Sequence, residues 1–102
     1  MSREPIHPGE FLADELEELS MSAAELARIL HVPANRISQI LAGKRTITAD
    51  TALRLGRYFG TGPQIWLNLQ QAYDLDVAQQ QAGSDLERIS QREAEPVRIA
   101  AE

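Results

Sequence analysis

Apolar residues recur along this chain at steps of three and four, with almost no stretch of strict alternation, so helices and not strands are expected throughout. Pro8 suits a first helical turn with His7 just before it, and Phe11, Leu12, Leu16 and Leu19 supply the buried stripe of a first helix reaching about residue 19. Ser22 followed three residues later by Glu25 has the spacing of a capping box, which predicts a short second helix over "AAELARIL". His31 and Val32 make a tight connection, and Pro33 takes a permitted first-turn position of a third helix that runs to about Ala42, where Gly43 can close it in the left-handed conformation. Thr48 caps a fourth helix, "ADTALRLGRYF", which ends at Gly60. A fifth starts near Pro63 as "PQIWLNLQQAYDLDVAQQQ".

That fifth helix carries more apolar circumference than a surface helix of a monomer needs. Ile65, Trp66, Leu69, Tyr73 and Val77 lie on one broad side, expected to serve the core, a dimer interface, or both. After Gly83 the composition turns mixed-charge and poor in large apolar residues, which predicts a weakly ordered or partly helical tail, with a helical segment around Leu86 to Gln91. The expected architecture is all-α: a compact five-helix domain over residues 1–82 and a C-terminal tail over 83–102.

The third helix is the segment in which pattern suggests chemistry. Ile37, Ile40 and Leu41 form its dry stripe; Asn35 and Gln39 lie nearly opposite, with Arg36 and Ser38 on the flanks. By itself such a row is an ordinary solvated surface. Charge changes the picture: the chain is −5 overall, yet residues 28–57 hold six arginines and lysines against Asp50 alone, while the segments on either side are acidic. Phosphate binding depends on cations close to the backbone and not on the whole-molecule sum. Two short helices joined tightly beside a basic turn have the layout of a helix-turn-helix, whose second helix fits a B-DNA major groove about 12 Å wide. Amides such as those of Asn35 and Gln39 donate and accept together, matching the N6/N7 edge of adenine; Arg36 suits guanine or a phosphate, and Ser38 is less selective. Lys44 and Arg45 would grip phosphates, as would the free N–H groups at the start of the second helix, around Ser22 and Ala23.

On these residues the chain resembles a known class. "SAAELARILHVPANRISQILAGKRTIT" is similar to the helix-turn-helix of the XRE/Cro (phage-repressor) family, and "IHPGEFL" with "GKRTITADTALRLGRYFGTGPQIWLNLQQAYDL" resembles its HigA antitoxin branch, over roughly residues 5–80. The resemblance implies double-stranded operator DNA as a partner, binding as a homodimer, neutralisation of a RelE/HigB-like toxin that cleaves messenger RNA, and autorepression of the operon. It carries base reading onto Ala34, Asn35, Arg36, Ser38 and Gln39. Ala34 departs from a position often polar in the class, which leaves it a thymine methyl or nothing to touch. A solitary repressor of the same fold, and a pure interaction module in which the fifth helix and the acidic first helix do the binding, are the alternatives.

Other chemistry is poorly supported. His7 and His31 are far apart and lack a third ligand, "GTGP" has neither a preceding strand nor a third glycine, and no nucleophile with base and orienting group can be assembled, so no enzyme, metal or cofactor is expected. The chain has no cysteine, no apolar run long enough for a bilayer and no signal-peptide core, so a cytoplasmic protein without membrane partners is expected. Glu10, Asp14, Glu15, Glu17 and Glu18 read as a solvated face of the first helix that a basic toxin surface is also able to use; Arg54 and Arg57 suit phosphate contact or solubility equally.

Overall fold

A computed structural model describes residues 4–92. Five helices follow in order: α1 (Pro8–Leu19), α2 (Ala23–Leu30), α3 (Ala34–Leu41), α4 (Ala49–Phe59) and α5 (Gln64–Glu87). No strand occurs among the described residues. No helix among them is long and apolar enough to cross a membrane.

Local chemistry sets the boundaries. The Ser22 hydroxyl accepts from the Glu25 N–H while the Glu25 carboxylate accepts from the Ser22 N–H, so the expected capping box closes the start of α2. Thr48 caps α4 by accepting from the Thr51 N–H. Pro33 stands one position earlier than expected, at the cap of α3 and not inside its first turn. Gly43 takes a φ of 75°, and its N–H returns to the Ile40 carbonyl to close α3.

Leu12, Leu16, Leu26, Leu30, Ile37, Ile40, Ile47, Leu55 and Trp66 form one core in which α1 crosses α3, α2 packs on α3 and α4, and α5 closes the back. The α1–α3 crossing depends on Gly9: a Cβ there would collide with the Ile40 carbonyl, so only a glycine lets the two backbones approach this closely.

Two expectations about stripes need correction. Phe11 and Leu19 are not buried with Leu12 and Leu16 but are 38% and 48% exposed. Phe11 sets one ring edge against Trp66 and turns its outer side to solvent, while Leu19, on the face of Leu12, is the last residue of α1 and lies beyond its cover. On α5, Trp66 is the one member of the expected apolar side that is fully buried; Leu69, Tyr73 and Val77 are half-buried and Ile65 is 42% exposed. Leu69 packs against the core cluster and Tyr73 against the His7 ring.

The composition change at Gly83 does not interrupt α5, which runs six residues past the expected end at Gln81, to Glu87. Leu86 is therefore in its final turn and Ile89 and Gln91 are outside any helix. The part of the expected tail beyond Arg92 lies outside the described residues.

Candidate nucleic-acid interface

The short α2 and α3 are joined by three residues, of which His31 is held left-handed at φ 61° so that the chain reverses tightly after Leu30. Ile37 and Ile40 are fully buried, which fixes the rotation of α3 about its own axis. That rotation leaves Ala34, Asn35 and Ser38 exposed and Arg36 and Gln39 half-buried along the opposite side. Asn35, Ser38 and Gln39 therefore share one accessible side of the helix, with Ala34 at one margin and Arg36 at the other, turned towards Asp50 of α4.

Several of these side chains are already engaged within the chain. Arg36 pairs with the Asp50 carboxylate, which also receives the Arg54 Nε at 3.0 Å. These two guanidinium groups, Arg54 first, hold the Asp50 carboxyl below the usual aspartate range. Arg54 in addition donates through Nη1 to the Leu30 carbonyl at 2.9 Å, one of the acceptors left over at the end of α2. Asp50 and Arg54 thus strap α2, α3 and α4 together at the edge of the reading row. Arg54, expected to serve phosphate contact or solubility, commits its Nε and Nη1 to the fold. Arg57 lines a groove of about 490 Å³ with Ile29, Leu53 and Tyr58.

The turn after α3 brings the cations alongside. Gln39 offers its carbonyl to the Lys44 N–H at 2.8 Å and its side-chain oxygen to the Arg45 Nε at 2.8 Å, while the Lys44 side chain is exposed. Two buried polar residues hold this turn from behind. The Gln70 Oε1 on α5 accepts from the Ile47 N–H at 2.8 Å, and the His7 ring faces the Arg45 main chain, with its Cγ 3.9 Å from the position a Gly43 Cβ would take. His7 is also the cap of α1: its Nδ1 accepts from the Gly9 N–H at 2.9 Å, which requires that nitrogen to be unprotonated. Burial pushes the His7 pKa down, against the opposing influence of Asp74, Glu10 and the Arg45 main chain.

At the start of α2 the capping box uses the Ser22 hydroxyl internally, leaving the N–H groups of Ala23 and Ala24 without a partner among the described residues. The Ser22 N–H and hydroxyl hold the Glu25 carboxyl below the usual glutamate range, so a phosphate arriving here meets a helix N-terminus with a negative charge nearby.

Sequence reasoning missed Asp50, Gln70 and the reach of His7 beyond its own helix. Asp50 had a signal, as the lone acid in a cationic segment with Arg54 four residues on. Gln70 had none: it lies among Asn68 and Gln71, and its burial is decided by where Ile47 comes to rest.

This geometry has close parallels. A helix-turn-helix family profile (HTH_3) matches residues 12–66. The virulence-associated protein I of Dichelobacter nodosus is 57% identical over 76 residues, 74% of this chain and 70% of that protein. Among solved structures, a HigA-family addiction-module antidote protein from Coxiella burnetii superposes with a TM-score of 0.86 at 52% identity, covering 89% of this chain and all of that one. The chain belongs to the HigA branch of the XRE-type helix-turn-helix family. The HigA antitoxin of Pseudomonas aeruginosa, solved with the higBA promoter, is also similar, with a TM-score of 0.80 and 48% identity over 91% of this chain and 98% of that one. The family is one of helix-turn-helix DNA-binding antitoxins and regulators, which is not an enzyme class.

Proposed function

We propose that this chain is a sequence-specific operator-binding antitoxin of a type II toxin–antitoxin pair, which neutralises a RelE/HigB-like toxin that cleaves messenger RNA and represses its own operon. One observation carries the DNA half: Asn35, Ser38 and Gln39 share an accessible flank of α3, directly beside Lys44 and Arg45, on a helix whose rotation is fixed by Ile37 and Ile40. Base edges in a major groove call for such polar side chains, and flanking phosphates for such cations. The similar Pseudomonas HigA, solved with promoter DNA, supports the same use of the surface.

The reading assigns bases to Ala34, Asn35, Arg36, Ser38 and Gln39, and phosphates to Lys44, Arg45 and the α2 N-terminus at Ser22 and Ala23. A homodimer closing over α5, through Ile65, Leu69, Tyr73 and Val77, would set two α3 helices about 34 Å apart on one side of the duplex. The toxin half rests on the family alone. Both halves are tested together by expressing the chain with whichever small reading frame adjoins its gene, purifying any complex, and footprinting the promoter region upstream of the pair. Co-purification, relief of toxicity and a protected two-fold site are the expected results. A protected site with no toxin partner would favour a solitary repressor, and a captured partner with no protected site would favour a pure interaction module.

A further inference from the structure

We infer that Arg45 is a specificity-determining positioning residue: by holding the side-chain oxygen of Gln39, it turns that amide into a reader of hydrogen-bond acceptors and so selects guanine over adenine. The inference rests on α3 being the reading helix.

An amide is two-faced, and a free glutamine is able to present either its oxygen or its NH₂ group to a base. The Arg45 Nε can only donate, so the Gln39 atom it meets at 2.8 Å has to be the oxygen. The NH₂ group is then the part of the amide left to meet a base. Adenine requires one donor and one acceptor from the same amide, whereas guanine offers two acceptors, O6 and N7. With its oxygen turned towards Arg45, Gln39 is suited to the second pattern. The two terminal nitrogens of Arg45 extend the same donor-only surface.

An ordinary surface arginine would not hold such an orientation. Here the turn that carries it is tied down: Gly43 N–H to the Ile40 carbonyl, Lys44 N–H to the Gln39 carbonyl and Ile47 N–H to the buried Gln70, with His7 against the Arg45 main chain. Arg45 therefore leaves a rigid backbone over the last turn of α3, and the side-chain pairing has only the two side chains to order. This departs from the sequence expectation on two counts, since Gln39 was matched to adenine and Arg45 to phosphate alone.

The test uses the full chain and a randomised duplex DNA library, so no native operator is required. Wild type, Asn35→Ala, Gln39→Ala, Lys44→Ala and Arg45→Ala are each selected against the library, and base preferences are compared position by position. The wild type is expected to favour guanine over adenine by about 10-fold at the position that Gln39→Ala flattens. Arg45→Ala should flatten that same position while Lys44→Ala lowers affinity for all sequences alike and leaves the preference intact. The double variant Gln39→Ala/Arg45→Ala should lose no more selectivity there than either single one. A wild-type preference for adenine at that position overturns the inference, as does an Arg45→Ala profile that keeps the wild-type preference while Gln39→Ala loses it. If neither Asn35→Ala nor Gln39→Ala alters any position, the assignment of α3 as the reading helix fails as well.

Discussion

The α3 helix with its exit turn and the distal part of α5 are built on opposite plans. α3 is only eight residues long, yet Ile37 and Ile40 on its dry side are fully buried with Leu41 half-buried beside them, its exit is capped by Gly43, and its turn is held by His7 and Gln70. α5 has 24 residues, about 36 Å of helix, and none of them is fully buried after Gln70. Leu75 is 61% exposed and Leu86 46%. Helical order therefore has two sources here. In α3 it comes from tertiary anchoring of a segment too short to persist alone, and in distal α5 from the length and helix-favouring composition of the segment itself. A surface that must meet a groove in one orientation belongs on the first kind.

The proximal turns of α5 join the two plans, and substitutions there should have the largest effects. Trp66 is 1% exposed, sits against Phe11 and Phe59 with ring centroids 5.6 Å away in each case, and donates its indole N–H to the Thr61 hydroxyl. Trp66→Ala is expected to lower unfolding free energy by about 3–5 kcal/mol, measured by urea denaturation. A loss below about 1 kcal/mol would mean that α5 is not the back wall of the core. Gln70→Ala should act more locally. It leaves the buried Ile47 N–H unpaired, which costs about 1–3 kcal/mol, and frees the turn behind Lys44 and Arg45. Weaker operator binding with α2 and α3 amides still protected from hydrogen exchange would sharpen the distinction between anchoring the fold and anchoring the turn.

How much of this was legible beforehand follows the same division. Helix number, order and most boundaries were readable because caps and apolar spacing are local: Ser22 with Glu25, Thr48, Gly43 and Gly60 each announce an end within a few residues. The accessible row on α3 was readable for the same reason, since Ile37 and Ile40 determine what faces away. The internal pairings were not. Gln39 and Arg45 meet because of a turn, Arg36 and Asp50 because two helices converge, and Ile47 and Gln70 because residues 23 apart in sequence are brought together by the core. Periodicity also misjudged how far burial extends. It ranked Phe11, Leu19 and Ile65 by residue type, whereas cover depends on which neighbours reach them. At Gly83 composition changed and helix did not: Gly83, Ser84 and Asp85 are poor helix formers, but they follow a long helix through the good formers Gln79 to Ala82 and precede Leu86 and Glu87, and extending an existing helix costs far less than starting one.

Acid offers a graded way to loosen the α3 side alone. The His7 pKa lies below its ordinary value of 6.5 because the ring is buried, so the unfolded chain binds a proton more readily than the folded one as the pH falls. The stability contributed by neutral His7 is thus complete above pH 6.5 and is lost as the pH drops from there towards the folded-state pKa, by at most about 1.4 kcal/mol per pH unit for a single group. Protonation at Nδ1 also removes the acceptor of the Gly9 N–H, uncapping α1 where it crosses α3. His7→Asn keeps a capping oxygen that does not titrate in this range. The difference in unfolding free energy between wild type and His7→Asn should therefore be constant from pH 8 to 7 and turn against the wild type below 6.5. A difference that stays constant down to pH 5 would show that the cap does not need the neutral ring.

The smallest effect is expected where the contrast predicts no anchoring. Leu75 projects from the distal part of α5, so Leu75→Ser removes little buried area and substitutes a residue of moderately lower helix propensity. Unfolding free energy should change by no more than about 0.5 kcal/mol in dilute solution, with operator affinity unaltered. Protein concentration makes the result decisive. If the loss instead exceeds about 1 kcal/mol and grows as the protein is concentrated, Leu75 is covered by another copy in the state that unfolds, because stability linked to association rises with protomer concentration. Distal α5 would then be anchored after all, through a second chain, and the two regions would differ in what anchors them and not in whether they are anchored.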